Sequence, residues 1–165
     1  MKRLIMSALL ALAVVPAAVH AASAAPPVPG EIAITDGSKP YLIAHASGLQ
    51  IYTCNGTWTL LRPDALLTDK FGKVIGTHSG GPSWELRDGS IAKARRDAGI
   101  RVEQNAIDWL RLAVTSVSAG ADGDRLTNAK WIQRINTVGG LAPAGPCAQG
   151  TTIEVPYTAD YVFWK

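Results

Sequence analysis

Gly76-Thr77-His78-Ser79-Gly80-Gly81-Pro82-Ser83-Trp84-Glu85-Leu86-Arg87-Asp88-Gly89-Ser90 carries the turns on which the fold depends. Gly80 and Gly81 permit positive φ, while Pro82 removes a backbone donor and pushes the residue before it out of helical space. Asp88-Gly89 is a turn pair between two runs of strand-forming residues. The stretch therefore reads as a strand over 73–78, a bend, a second strand over 83–87, a turn, and a third strand from Ser90. It is also dense in chemistry. His78 is suited to acid, base or ligand roles, Thr77, Ser79 and Ser83 add hydroxyls, and Glu85 and Asp88 add carboxylates. Within a strand over 83–87, Ser83, Glu85 and Arg87 share one face, and Trp84 and Leu86 point to the core.

Moving upstream, Leu42-Ile43-Ala44 and Leu49-Gln50-Ile51-Tyr52-Thr53-Cys54 are β-rich runs set apart by Ser47-Gly48. Leu49, Ile51 and Thr53 fall on one face of the second run, and Gln50, Tyr52 and Cys54 on the other. Asn55-Gly56 is the strongest hairpin signal in the chain and leads into Thr57 to Leu61. Arg62-Pro63-Asp64-Ala65 reads as a break in the ladder. The residues after it, 65–69, fit either a short strand or one helical turn.

Downstream, Ile91 to Arg96 continues the pattern with Lys93 and Arg95 outward, and Ala98-Gly99 reads as a turn. Ile107 to Val114 fits an amphipathic helix or a strand; the Thr-Ser-Val-Ser run after it and the β-rich surroundings favour the strand. Ala119 to Asp124 is a loop whose acidic residues fall short of a calcium motif, since no bidentate Glu follows at the required distance. Trp131 to Thr137 alternates. Along Thr151 to Trp164, Ile153, Val155, Tyr157, Ala159, Tyr161 and Phe163 share a face expected in the core. Many short β-rich runs with frequent Gly and Pro turns predict an all-β domain with little helix, a single antiparallel β-sandwich or small β-barrel.

Residues 1–24 read as a secretory signal: Lys2-Arg3, an apolar run from Leu4 to Val15, and small-residue cleavage sites. The apolar run is shorter than the ~20 residues of a spanning helix, so no membrane span is expected in the mature chain. Residues 25–38, rich in proline at their start, are expected to be a flexible mature N-terminus, and 39–165 a single β-rich domain. The whole chain has 16 Lys+Arg against 13 Asp+Glu, and the signal holds two of the cations, so the mature domain is near neutral. Lys93, Arg95-Arg96 and Arg101 form too small a basic cluster, too poor in aromatics, for a nucleic-acid groove. Two cysteines, Cys54 and Cys147, in an exported chain predict a disulfide. A metal site on either is weak, because no other Cys or His lies near it in sequence. The expected location is secreted or periplasmic.

The residues also carry a resemblance. Gly48 to Cys54, Gly76-Thr77-His78, Gly81-Pro82-Ser83-Trp84-Glu85 and Asp88-Gly89-Ser90 open it. Trp109-Leu110, Ile132 to Gly140, Cys147 and Val155 to Phe163 continue it. Together they resemble the secreted bacterial and fungal family known as domain of unknown function 3455, over essentially the whole domain. The chain departs from that pattern at Ser79, where relatives usually have an aromatic after the histidine. The resemblance implies an exported domain and brings no established activity.

No Gly-x-Gly-x-x-Gly turn or βαβ alternation supports a nucleotide fold, and no cofactor is implied. No Gly-x-Ser-x-Gly elbow supports a serine hydrolase. The expected function is a binding or structural module for a small polar ligand or envelope component. Tyr52, His78, Ser83 and Trp84 are the binding candidates. The alternative is an enzyme of hydrolase or lyase type, with His78 and either Glu85 or Asp88 as acid and base. A metal held by His45 and His78 is a variant of that alternative.

Overall fold

The computed structural model describes residues 25–165. The expected export signal over 1–24 lies outside the described residues. Eight strands follow one short 3-10 turn at Gly30–Ile32: β1 Pro40–Cys54, β2 Trp58–Thr68, β3 Val74–Ser79, β4 Ser83–Leu86, β5 Ile91–Ile100, β6 Trp109–Ser118, β7 Trp131–Gly139 and β8 Thr152–Trp164. Each strand pairs antiparallel with the next, and β8 pairs back onto β1, so the sheet is a closed barrel. Closure leaves unpaired edges only where neighbouring strands differ in length. The end where β1 begins is here the lower end, and the end where it finishes, at Cys54, the upper.

Apolar side chains fill the lower half. Leu42, Ala44, Ala46, Leu67, Leu86 and Ala92 point inward from successive strands, and Phe163 joins them from β8. The connection between β6 and β7 lies across this end, with Leu126 fully buried and Ala129 nearly so. Outward positions carry charge, including Glu85, Lys93, Arg95 and Glu154, all exposed. No helix among the described residues is long and apolar enough to cross a membrane.

Several expected breaks are absent. Ser47-Gly48 does not divide two strands, because β1 runs unbroken from Pro40 to Cys54. Gly48 is there for proximity: a Cβ on it would lie 2.1 Å from the Asp64 carbonyl oxygen. Nor does Pro63 end β2. At Pro63, β2 is paired with β1 through Gln50, while its pairing with β3 starts only at Ala65, so the proline sits on an edge-like stretch. The residues after it form strand, not a helical turn. Ala98-Gly99 lies inside β5, beside a bulge between Arg96 and Ala98, and the ambiguous Ile107–Val114 segment enters β6 from Trp109 onward.

Within residues 25–38, expected as a flexible N-terminus, the part from Ile32 to Asp36 lies against the barrel. Ile32 is fully buried in a second apolar cluster on the outside of the barrel, with Ile135, Val162 and Trp164. Three side chains hold the segment there: Gln133 Nε2 donates to the Ile32 carbonyl at 2.7 Å, Arg111 Nη1 to the Ala33 carbonyl at 2.6 Å, and Trp131 Nε1 to Asp36 at 2.8 Å. Proline content marked the segment as non-regular, yet its isoleucine had somewhere apolar to go.

Cys54 and Cys147 are bonded, with Cα atoms 5.9 Å apart, and close a loop of 93 residues. The bridge ties the upper end of β1 to the connection between β7 and β8.

Candidate functional site

The β3–β4 hairpin is too short to span the barrel wall. β3 pairs with β2 only from Ala65 downward, and β4 pairs with β5 only from Ser83 to Glu85. Above the hairpin tip, formed by Gly80, Gly81 and Pro82, the upper parts of β2 and β5 have no strand between them. Gly81 makes the tip possible with a φ of 103°. The result is a notch in the upper wall, bordered by Leu60 to Pro63, the hairpin tip and Arg96, that opens into the barrel interior; notch and interior together form a cavity of about 220 Å³.

His78 and Trp84 are cross-strand partners in the hairpin, so both side chains point inward. Their rings stack with centroids 4.4 Å apart and planes 12° from parallel, and Tyr161 of β8 tilts against the imidazole at 4.8 Å. His78 Nδ1 lies 2.9 Å from the Ser83 carbonyl oxygen. A carbonyl only accepts, so Nδ1 carries the proton and Nε2 keeps its lone pair. Burial, reinforced by the Arg134 guanidinium and opposed by the Ser83 carbonyl, lowers the His78 pKa to about 4. The imidazole is therefore neutral at physiological pH.

Gln50 from β1, Leu110 and Leu112 from β6, and Arg134 from β7 complete the lining. Arg134 is held by the Asp108 carbonyl, which accepts from its Nε at 3.0 Å and Nη2 at 2.9 Å. Burial raises the Tyr161 phenol, so it stays protonated, and Tyr157 lies beside it with the two hydroxyls 3.5 Å apart. Tyr52 points to the same interior and donates to the Gly140 carbonyl, fixing the upper loop.

The structure does not join the acid–base candidates. Glu85 lies on the outer face of β4 and is exposed, while His78 lies inside, so the strand that separates them keeps them apart. Asp88 sits in the β4–β5 turn. Its Oδ1 accepts from the Ser90 amide at 2.9 Å and hydroxyl at 2.6 Å, and its Oδ2 from the Arg125 amide at 3.0 Å. Against a burial penalty, those bonds hold Asp88 below the usual carboxylate range. The Ser90 hydroxyl in turn accepts from the Leu126 amide, so this carboxylate fastens the lower plug. Ser83 contributes its backbone carbonyl. The metal variant does not form either: His45 is on the outer face of β1, with Nδ1 2.6 Å from Asp160, which also accepts from Asn136 at 2.8 Å. Among the described residues, no group of three or more His, Cys, Asp or Glu side chains is arranged for a metal ion.

The sequence reading singled out His78 and Trp84 and passed over Gln50, Arg134 and Tyr161. A signal existed for two of them. Gln50 and Arg134 are polar residues at inward positions of otherwise apolar alternating strands, where an unexplained polar side chain is informative.

A family model described as "Protein of unknown function (DUF3455)" matches residues 35–165. The chain belongs to the DUF3455 family. The match covers every strand of the barrel and both cysteines. No curated protein and no solved structure matches the chain significantly. For this DUF3455 protein the functional reading rests on the cavity itself.

Proposed function

We propose that this DUF3455 protein binds a small polar ligand inside its barrel, entering through the notch above the β3–β4 hairpin. One observation carries the reading: a cavity of about 220 Å³ whose walls combine apolar surface with the polar groups of Gln50, His78, Tyr161 and Arg134. Pockets of mostly apolar lining with a few convergent polar groups are the usual form of a small-molecule site. The volume lies below the roughly 300–1,000 Å³ of drug-sized pockets, so the ligand is of small-metabolite size. Trp84 offers a ring face, and the free Nε2 of His78 accepts a hydrogen bond. The enzymatic alternative has no carboxylate beside His78 and gains no support from this arrangement. The Cys54–Cys147 bridge supports an oxidising compartment, periplasmic or extracellular.

A ligand-observed NMR screen of polar fragments on the mature protein tests the reading. Hits are expected to shift the His78 ring and Trp84 indole resonances, and to be lost in Leu110→Trp, which fills the cavity from its wall. Hits that leave those resonances unmoved, or that bind the filled variant equally well, overturn it.

A further inference from the structure

We propose that the cavity takes a small organic carboxylate seated on Arg134. This inference deepens the binding reading above and rests on it. Its basis is a cationic side chain with no carboxylate partner in a confined space.

Arg134 is half-buried and makes no salt bridge with any carboxylate among the described residues, and no Asp or Glu lines the cavity. Its partners are neutral: the Asp108 carbonyl, which occupies Nε and Nη2, and the Tyr161 hydroxyl. A partly buried guanidinium faced only by neutral groups is poorly compensated, and a facing anion would supply what the fold does not. One further donor belongs to a cavity-lining side chain, Trp84 Nε1, which is buried and has no hydrogen-bond partner among the described residues; Gln50, also buried, lies against the Tyr157 hydroxyl. Polar groups so deeply buried are almost always satisfied, and an unsatisfied one calls for an explanation.

The mouth adds to the bias. Arg62 is matched by Asp64, but Arg96 and Arg101 share the single carboxylate of Asp108, at 3.3 Å and 2.6 Å. Positive charge is therefore in excess at the entrance, which favours the approach of anions. Leu60, Pro63, Leu110 and Leu112 leave most of the wall apolar, which suits an organic body more than an inorganic ion. A planar carboxylate also matches the guanidinium fork better than a spherical anion does.

The probes are benzoate, its neutral isostere benzamide, and inorganic phosphate, each titrated into the mature protein while the His78 and Trp84 resonances are followed. Benzoate is expected to bind roughly tenfold or more tightly than benzamide, the size of one charge-assisted hydrogen bond, and phosphate more weakly than benzoate. Arg134→Met should remove the preference for benzoate over benzamide, while Arg134→Lys should keep part of it. If Arg134→Met fails to fold, the benzoate–benzamide ratio on the wild-type protein still decides. Equal binding of benzoate and benzamide overturns the carboxylate inference and leaves the cavity reading standing, as does tighter binding of phosphate than of benzoate. Failure of all three probes overturns the inference, and an empty fragment screen alongside it overturns the cavity reading as well.

Discussion

The two halves of the barrel share the same strands and the same in–out alternation, yet one is packed and the other holds a chamber. In the lower half, Leu42, Leu67, Leu86 and Phe163 meet across the axis, with Leu126 closing the end. Toward the notch the inward positions pass to Gln50, His78, Arg134 and Tyr161. The hairpin makes the difference. β3 and β4 cover the wall only in the lower half, so the upper half has neither a full wall nor enough apolar side chains to fill its interior. A closed sheet of eight strands is just wide enough to be filled or to hold one small ligand, and this chain does both at different heights.

The comparison can be broken most sharply through the disulfide, which anchors the less packed end. Replacing Cys54 and Cys147 by alanine frees a loop of 93 residues, and the chain-entropy model gives a loss of roughly 4–5 kcal/mol. Urea unfolding of the double variant measures it. A loss below about 1 kcal/mol would show that the upper end holds itself together without the bridge.

Core truncation should sharpen the contrast next. Leu67 is fully buried in the packed half, and Leu67→Ala should cost about 3–4 kcal/mol, the upper part of the range for such changes. Leu110 faces existing empty space, so Leu110→Ala removes fewer contacts and should cost about 2 kcal/mol. Chemical denaturation of the two variants side by side gives the difference. Equal losses would mean that the upper half is as tightly packed as the lower.

A further effect is read from pH. The folded His78 pKa is depressed to about 4 from the ordinary 6.5, so the unfolded state binds its proton first as pH falls. Stability from keeping His78 neutral is full above pH 6.5 and is lost progressively between 6.5 and about 4. The change across that window is on the order of 3 kcal/mol. His78→Gln should flatten the stability–pH curve there, while the acid loss below it, which comes from carboxylates such as Asp88, remains. A curve of unchanged slope in the variant would place His78 in water in the native state.

Local chemistry in the sequence accounts for much of this molecule. Asn55-Gly56 and Asp88-Gly89 make turns because their backbones tolerate positive φ, and Gly80-Gly81-Pro82 bends between two strands for the same reason. The β8 alternation puts Tyr157, Ala159, Tyr161 and Phe163 inside because side chains on a strand repeat every second residue. Those signals act between near neighbours, and so they determined an all-β chain, most of its strands and the inward face of Trp84.

Tertiary structure alone decided the rest. Gly48 and Pro63 resemble breaks in sequence, but one allows the close approach of β2 and the other sits where β2 lacks its second neighbour. His78 stands close to Glu85 and Asp88 along the chain, and the register turns them to opposite faces or into a turn. Gln50, Arg134 and Tyr161 lie far from His78 in sequence and meet it only because closure of β8 onto β1 brings their strands around one axis. A strand pattern fixes which way a side chain points; what it then faces is fixed by strands the local sequence does not contain.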